Sequence, residues 1–147
     1  MRAYFFVNNW LSQIQRGIQV AHCAVEMARY YARHTGVGET RFLDFEEWAD
    51  QHKTMIVLNG GGHADLNDLT GFLSQGPHDL PWGYFKEDRE SLNGAVTCVG
   101  VVIPERIYEK ARMVREGTLC NSKDELRDPR LEWEADLIDR LNSCSLA

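Results

Sequence analysis

Three stretches of the 147-residue chain carry groups able to do chemistry. The first is Asn59-Gly60-Gly61-Gly62-His63, where an apolar run ends and a helical pattern begins. Glycines there permit unusual backbone angles and leave successive N–H groups open to an anion such as a phosphate. No Gly-Lys-Ser or Gly-Lys-Thr follows, which excludes a nucleoside-triphosphate P-loop. A tight strand-to-helix connection would use the same glycines. The second stretch runs from Tyr84 and Phe85 through Lys86, Glu87, Asp88, Arg89 and Glu90 to Asn93 and Gly94. Asp88 and Asn93 can read ribose hydroxyls or a base edge, while Phe85 or Tyr84 can stack on a ring. A solvated hairpin loop with Phe85 in the core is the competing reading. In the third, Arg16, Gln19 and His22 stand at i, i+3 and i+6 near the start of a long helix and can project from one side. A helix N-terminus and an Arg both favour anions, and Arg106 is a further candidate phosphate ligand. No Ser-His-Asp or Cys-His pairing can be placed from this order. No His cluster has metal-ligand spacing, so neither metal nor cofactor is expected.

Specific elements must hold these groups. Ala3 to Asn8 is aromatic and β-branched and predicts a strand. Ser12 is placed to cap a helix of about 20 residues, in which Ile14, Ile18, Ala21, Val25, Ala28 and Ala32 recur at spacings of three and four. That stripe is expected to be the core face, and Gly36 and Gly38 to end the helix. Residues 42–52 predict a short second helix. Lys53 to Leu58 and Ala95 to Ile103 are nearly continuous apolar runs, as strands covered on both faces require. A helix with Leu66, Leu69, Phe72 and Leu73 on its core face follows the glycines, and a third strand lies near Tyr84–Lys86. Pro104 opens a helix through about Glu116, residues 117–129 form a polar loop, and a last amphipathic helix uses Leu131, Trp133, Leu137, Ile138 and Leu141. The order β-α-α-β-α-β-β-α-α specifies an α/β fold, a small mixed sheet flanked by helices.

Composition narrows the partners. The chain is 44% hydrophobic and 26% charged, ordinary for a folded soluble domain. Its net charge of −6 argues against extended contact with DNA or tRNA, which requires basic side chains on phosphates. A small phosphorylated ligand held by two or three local groups remains compatible. No apolar run approaches the roughly 20 residues of a membrane span, and the first ten residues are too polar for a signal peptide. Cys23, Cys98, Cys120 and Cys144 are widely spaced, as expected of free thiols in the cytoplasm.

Taken jointly, three blocks resemble a known family. They are L-S-x-x-Q-x-G-I-Q-x-A-H-x-x-x-E from Leu11 to Glu26, W-x(4)-K-T-x-I-V-L-N-G-G from Trp48 to Gly61, and F-x-E-D with N-G-A-V-T from Phe85 to Thr97. Together they resemble a phage and bacterial branch of the type 2 peptidyl-tRNA hydrolase-like fold, over roughly residues 3–104. The resemblance implies a four-stranded mixed sheet flanked by helices, and cleavage of the ester in peptidyl-tRNA. The family pattern has Gly-Lys at the start of the first helix, but Ile18 follows Gly17 here. Its Asp-Ala-Gly-Arg-Thr loop is replaced by Lys86-Glu87-Asp88-Arg89-Glu90, in which only the Arg keeps register. These departures remove the charge arrangement that ester chemistry would use.

Within the same fold neighbourhood the chain is similar to phage sponges for nucleotide signals, such as the first Thoeris anti-defence family and anti-CBASS sponges. These bind a cyclic ADP-ribose isomer or a cyclic oligonucleotide without cleaving it. The implied division is an α/β core over 1–104 and an appended helical extension over 105–147. The implied ligand-binding residues are Arg16, Gln19, His22, Asn59, Gly60, Gly61, Tyr84, Phe85, Asp88, Asn93 and Arg106, with no catalytic residue. The alternative is an esterase using His22, Lys86 or Asp88. A third possibility is a protein-interaction module using Trp133 and the last helices. An amphipathic helix after a complete domain packs on a second subunit, so a dimer or larger homo-oligomer is expected.

Overall fold

A computed structural model of the chain describes residues 1–34, 39–77, 79–116 and 129–147. It is an α/β protein with a four-stranded mixed sheet and several helices. Two compact units are present, one formed by Met1–Ile103 with Ser145–Ala147, the other by Pro104–Cys144.

In the first unit the strands are β1 (Arg2–Val7), β2 (Met55–Asn59), β3 (Trp82–Lys86) and β4 (Val96–Ile103). They lie in the order β2-β1-β4-β3, with β1 parallel to β2 and β4 antiparallel to both neighbours. The helices are α1 (Gln13–Ala32), α2 (Thr40–Glu47), α3 (His63–Gln75) and the single turn α4 (Arg89–Leu92). A π-helical turn, Trp48–His52, extends α2. Ser12 caps α1 as its sequence predicts: its hydroxyl accepts from the Gln15 amide at 3.3 Å, and the Gln15 side chain accepts from the Ser12 amide at 3.0 Å. The expected helix stop at Gly36 and Gly38 and the expected loop at 117–129, apart from Pro129, lie outside the described residues.

Of the two apolar runs expected to be covered on both faces, only the second is: every residue of β4 is buried, whereas β2 lies at the sheet's edge with Leu58 alone fully buried and Met55 exposed. β1, the other central strand, is buried from Ala3 to Val7. On one face Ala3, Phe5, Val7, Cys98 and Val102 pack against Val20, Cys23, Met27 and Tyr31 of α1 and Phe42, Phe45 and Trp48. On the other, Phe6, Val99 and Val101 are buried, and α3 with Leu66, Leu69 and Leu73 packs against β4.

The core face of α1 is not the one its sequence pattern indicates. Ile14, Ile18 and Val25 are 80%, 47% and 56% exposed, and Ala21, Ala28 and Ala32 are exposed too. The buried side is Gln19, Val20, Cys23, Met27 and Tyr31. Met27 explains part of this choice. Its side chain lies over Gly83 and Gly100, which pair across β3 and β4, and a Cβ at Gly83 would come within 2.7 Å of Met27 Cγ. The sheet leaves a groove there that a flexible thioether fills.

The outer edge of β2 is covered by the chain's last residues. Leu146 bridges Leu58, the Asn59 amide donates to the Ser145 carbonyl at 2.9 Å, and the Ala147 amide donates to Val57 at 3.1 Å. Pairing of this kind satisfies groups that an open edge would present to another chain.

The second unit consists of α5 (Glu105–Glu116) and α6 (Pro129–Ser143), packed on each other. Ile107 and Ala111 of α5 and Ala135, Leu137, Ile138 and Leu141 of α6 are buried. Lys110 lies 3.7 Å from Glu134, and Arg115 pairs with Asp139. No helix among the described residues is long and apolar enough to cross a membrane.

Candidate functional site

The Asn59–Gly62 turn spends its donors internally. The Asn59 amide binds the Ser145 carbonyl at 2.9 Å and the Gly60 amide binds the Val7 carbonyl at 2.9 Å. Gly61 donates to the Asn59 side chain at 3.1 Å, and Gly62 to the Asp65 carboxylate at 2.7 Å. A backbone cradle for phosphate, the expectation for Asn59, Gly60 and Gly61, is therefore not what this geometry offers: the N–H groups are occupied and a carboxylate sits among them. The glycines have structural reasons instead. Gly61 has φ of +79°, and a Cβ on Gly60 would lie 2.6 Å from Leu66 Cδ2.

Arg16 also works internally. Its guanidinium donates to the Leu11 carbonyl at 3.0 Å and the Asn9 carbonyl at 2.8 Å, tying the β1–α1 connection to the helix. Gln19 is buried rather than presented to a ligand. Its amide nitrogen donates to Glu87 at 2.7 Å, and its oxygen accepts from the Thr97 hydroxyl at 2.8 Å. These two bonds make the burial of a polar amide on the core face tolerable. Arg16, Gln19 and His22 thus do not form one ligand-facing row.

His22 does meet a predicted partner. Its exposed ring lies against Phe85, with centroids 4.6 Å apart and planes at 56°. Phe85 also packs against the core. Asp88 precedes α4 and accepts from the Ser91 hydroxyl at 2.9 Å, while Asn93 ends that turn with φ of +51°. Both are exposed. Arg106 lies on α5, in the second unit.

A cavity of about 360 Å³ opens between α1, α2 and the free edge of β3. Glu26, Met27, Tyr30 and Tyr31 come from α1, Arg41 from α2, and Trp82, Gly83 and Tyr84 from β3. Tyr84 is the only sequence-derived candidate among them. At the strand edge, the Tyr31 hydroxyl accepts from the Trp82 amide at 2.9 Å and donates to the Trp82 carbonyl at 3.1 Å. Ladder bonds alternate along an antiparallel strand, so the Tyr84 N–H and C=O turn outward like those of Trp82, at the cavity wall. Burial pushes the Tyr31 phenol up to about 12, so it remains a neutral donor near neutral pH. Tyr30 is half-exposed, Arg41 is held by Glu39 at 2.9 Å, and Arg29 pairs with Glu26 at 3.0 Å.

Chemically the cavity offers aromatic surface, a guanidinium, a carboxylate and one outward backbone donor–acceptor pair. That set suits a planar, partly anionic small molecule. Among the described residues no group of three or more His, Cys, Asp or Glu is arranged to hold a metal ion. The sequence motifs missed Glu26, Tyr30, Arg41 and Trp82, which come from three separate elements. No protein-family model matches the chain, and no curated protein matches it.

Proposed function

We propose that the protein is a non-catalytic binder that sequesters a small nucleotide signal, a cyclic ADP-ribose isomer or a cyclic oligonucleotide, as a phage anti-defence sponge does. The observation that carries the reading is the cavity of about 360 Å³, within the range for small-molecule sites, which joins Tyr30 to the Arg41 guanidinium and the β3 edge. A base stacks on an exposed aromatic ring such as Tyr30, its edge pairs with the Tyr84 backbone, and Arg41 meets a phosphate. His22, Phe85, Asp88 and Asn93 supply a neighbouring polar-aromatic surface. The finer fold reading, type 2 peptidyl-tRNA hydrolase-like, belongs to the same proposal. It is supported by the helix-flanked mixed sheet and by the block spacing, with the family's catalytic charges replaced.

The test is a thermal-shift screen against cyclic nucleotides and ADP-ribose isomers, followed by heating the complex and chromatographing what is released. A large stabilisation with intact ligand supports the reading, since a ligand bound only to the native state raises stability by RT ln(1 + [L]/Kd). A product of altered mass overturns it in favour of an enzyme. No shift with any nucleotide also overturns it.

A further inference from the structure

We propose that the exposed apolar stripe of α1 is a self-association face on which a second copy of this chain docks its own α1, antiparallel, about a two-fold axis. The stripe comprises Ile14, Ile18, Ala21, Val25, Ala28 and Ala32, all exposed, on a side of the helix about 150° from the residues that face the sheet. Its alternating spacings of four and three are those of the a and d positions of a coiled coil, held over some two and a half heptads.

The order of side-chain sizes selects the occupant. The large residues cluster at the N-terminal end of the stripe and the small ones at the C-terminal end. Antiparallel pairing about the midpoint sets Ile14 against Ala32 of the other copy, Ile18 against Ala28, and Ala21 against Val25. Each layer then joins one β-branched residue to one alanine, and each joins an a to a d position, as antiparallel helices require. Parallel pairing would instead stack isoleucine on isoleucine at one end and leave alanine gaps at the other. A surface complementary to itself under a two-fold is what an isologous interface needs.

Gly17 supplies a second, independent observation. A glycine inside a helix lowers its stability relative to alanine. Here a Cβ would meet nothing within 4 Å, so the chain's own packing does not demand it. Gly17 is exposed on one flank of the stripe, where a small residue lets two helices approach closely. The other flank carries Gln15, His22 and Arg29, without a block of one charge. A single pair of helices about 30 Å long buries an area at the small end of specific interfaces, so a weak dimer is expected, with a dissociation constant on the order of micromolar. The cavity lies on a different side of α1, through Glu26, Met27, Tyr30 and Tyr31, and stays open in the dimer.

The test is sedimentation equilibrium of the full chain from 1 to 200 µM, for the wild type, Ile18→Glu and Ile14→Glu. The wild type dimerises and both variants stay monomeric at least tenfold higher in concentration, with unchanged circular dichroism. Ile14 is so exposed that its substitution leaves the monomer intact even where Ile18→Glu perturbs folding. Register is read by Ala21→Cys/Val25→Cys, which oxidises to a covalent dimer whose linked peptides join position 21 of one copy to 25 of the other. A wild type that is monomeric at 200 µM overturns the proposal. So does a dimer indifferent to Ile14→Glu, which would assign association to another surface, or a covalent dimer linked 21 to 21.

Discussion

The Tyr31 hydroxyl grips both polar groups of the Trp82 peptide, accepting from its amide at 2.9 Å and donating to its carbonyl at 3.1 Å. One side chain on α1 thereby closes the outer edge of β3, with which no further strand among the described residues pairs. Removing the hydroxyl strands two backbone groups, so Tyr31→Phe is expected to lower stability by about 1–3 kcal/mol in urea titrations. The same group sets an alkaline limit. An unfolded tyrosine ionises near pH 10, whereas burial holds Tyr31 protonated to about 12. Its contribution is complete below pH 10 and is lost as pH rises towards 12, a change of roughly 2–3 kcal/mol. Midpoints measured at pH 8 and 11 should converge between wild type and Tyr31→Phe; parallel curves would count against this assignment.

Gln19 connects Thr97 to Glu87 through the core face of α1. Gln19→Leu leaves the buried Thr97 hydroxyl without its acceptor and should cost about 1–3 kcal/mol. Adding Thr97→Val should return most of that loss, because both polar partners are then gone. A double-mutant cycle with no coupling would refute the bridge. Hydrogen exchange across residues 87–94 should rise in the single variant, since Glu87 loses its anchor.

Met27 and Gly83 are expected to behave as one packing unit. Gly83→Ala forces its Cβ onto Met27 Cγ, and overpacking of this kind typically costs about 1–3 kcal/mol. In a Met27→Ala background the same change should become neutral or stabilising. Thermal melts of the four proteins decide it, and an identical cost in both backgrounds would mean the strain lies elsewhere.

Ligand affinity should respond to Arg41 and Tyr30 separately. Loss of stacking at Tyr30→Ala is worth about 1–3 kcal/mol, or roughly five- to 150-fold in Kd. Arg41→Ala should weaken phosphate-bearing ligands at least tenfold and leave a nucleoside probe nearly unaffected. Calorimetric titrations with the hit from the nucleotide screen and its dephosphorylated form separate the two effects.

The sequence made the strands and helix starts legible because their signals are local. Aromatic and β-branched residues mark β1, continuous apolar runs mark β2 and β4, and Ser12 with Gln15 forms a capping box, although the run of β2 lies at the sheet's edge and is covered only in part. Which side of α1 faces the sheet was not legible. The stripe from Ile14 to Ala32 has helical periodicity, but periodicity does not say whose surface it covers. The true core face mixes Gln19, Cys23, Met27 and Tyr31, and becomes intelligible only once Gly83, Gly100 and Thr97 lie beneath it. The glycine turn shows the converse error. Its residue types signal exposed donors, while Ser145, Val7 and Asp65, two of them distant in sequence, consume those donors. Tyr84 and Phe85 could not be told apart as stacking residues. In the structure Tyr84 is at the cavity wall and Phe85 is against His22. Arg41 and Tyr30 carried no motif, since only the packing of α2 against α1 makes them neighbours.

The two sulfurs buried between α1 and the sheet have a practical consequence. Cys23 and Cys98 are completely buried, whereas Cys144 is partly exposed. Burial drives the Cys98 thiol far above its ordinary range, so it stays protonated and unreactive while the sheet is closed. A thiol-alkylating reagent therefore labels Cys98 only in molecules that have opened, and peptide mass spectrometry separates it from Cys144. The protein carries its own stopwatch for breathing of the α1–sheet layer, readable without any engineered probe. Slower labelling of Cys98 when a ligand is added would register occupancy of a cavity whose wall shares Met27 with that layer.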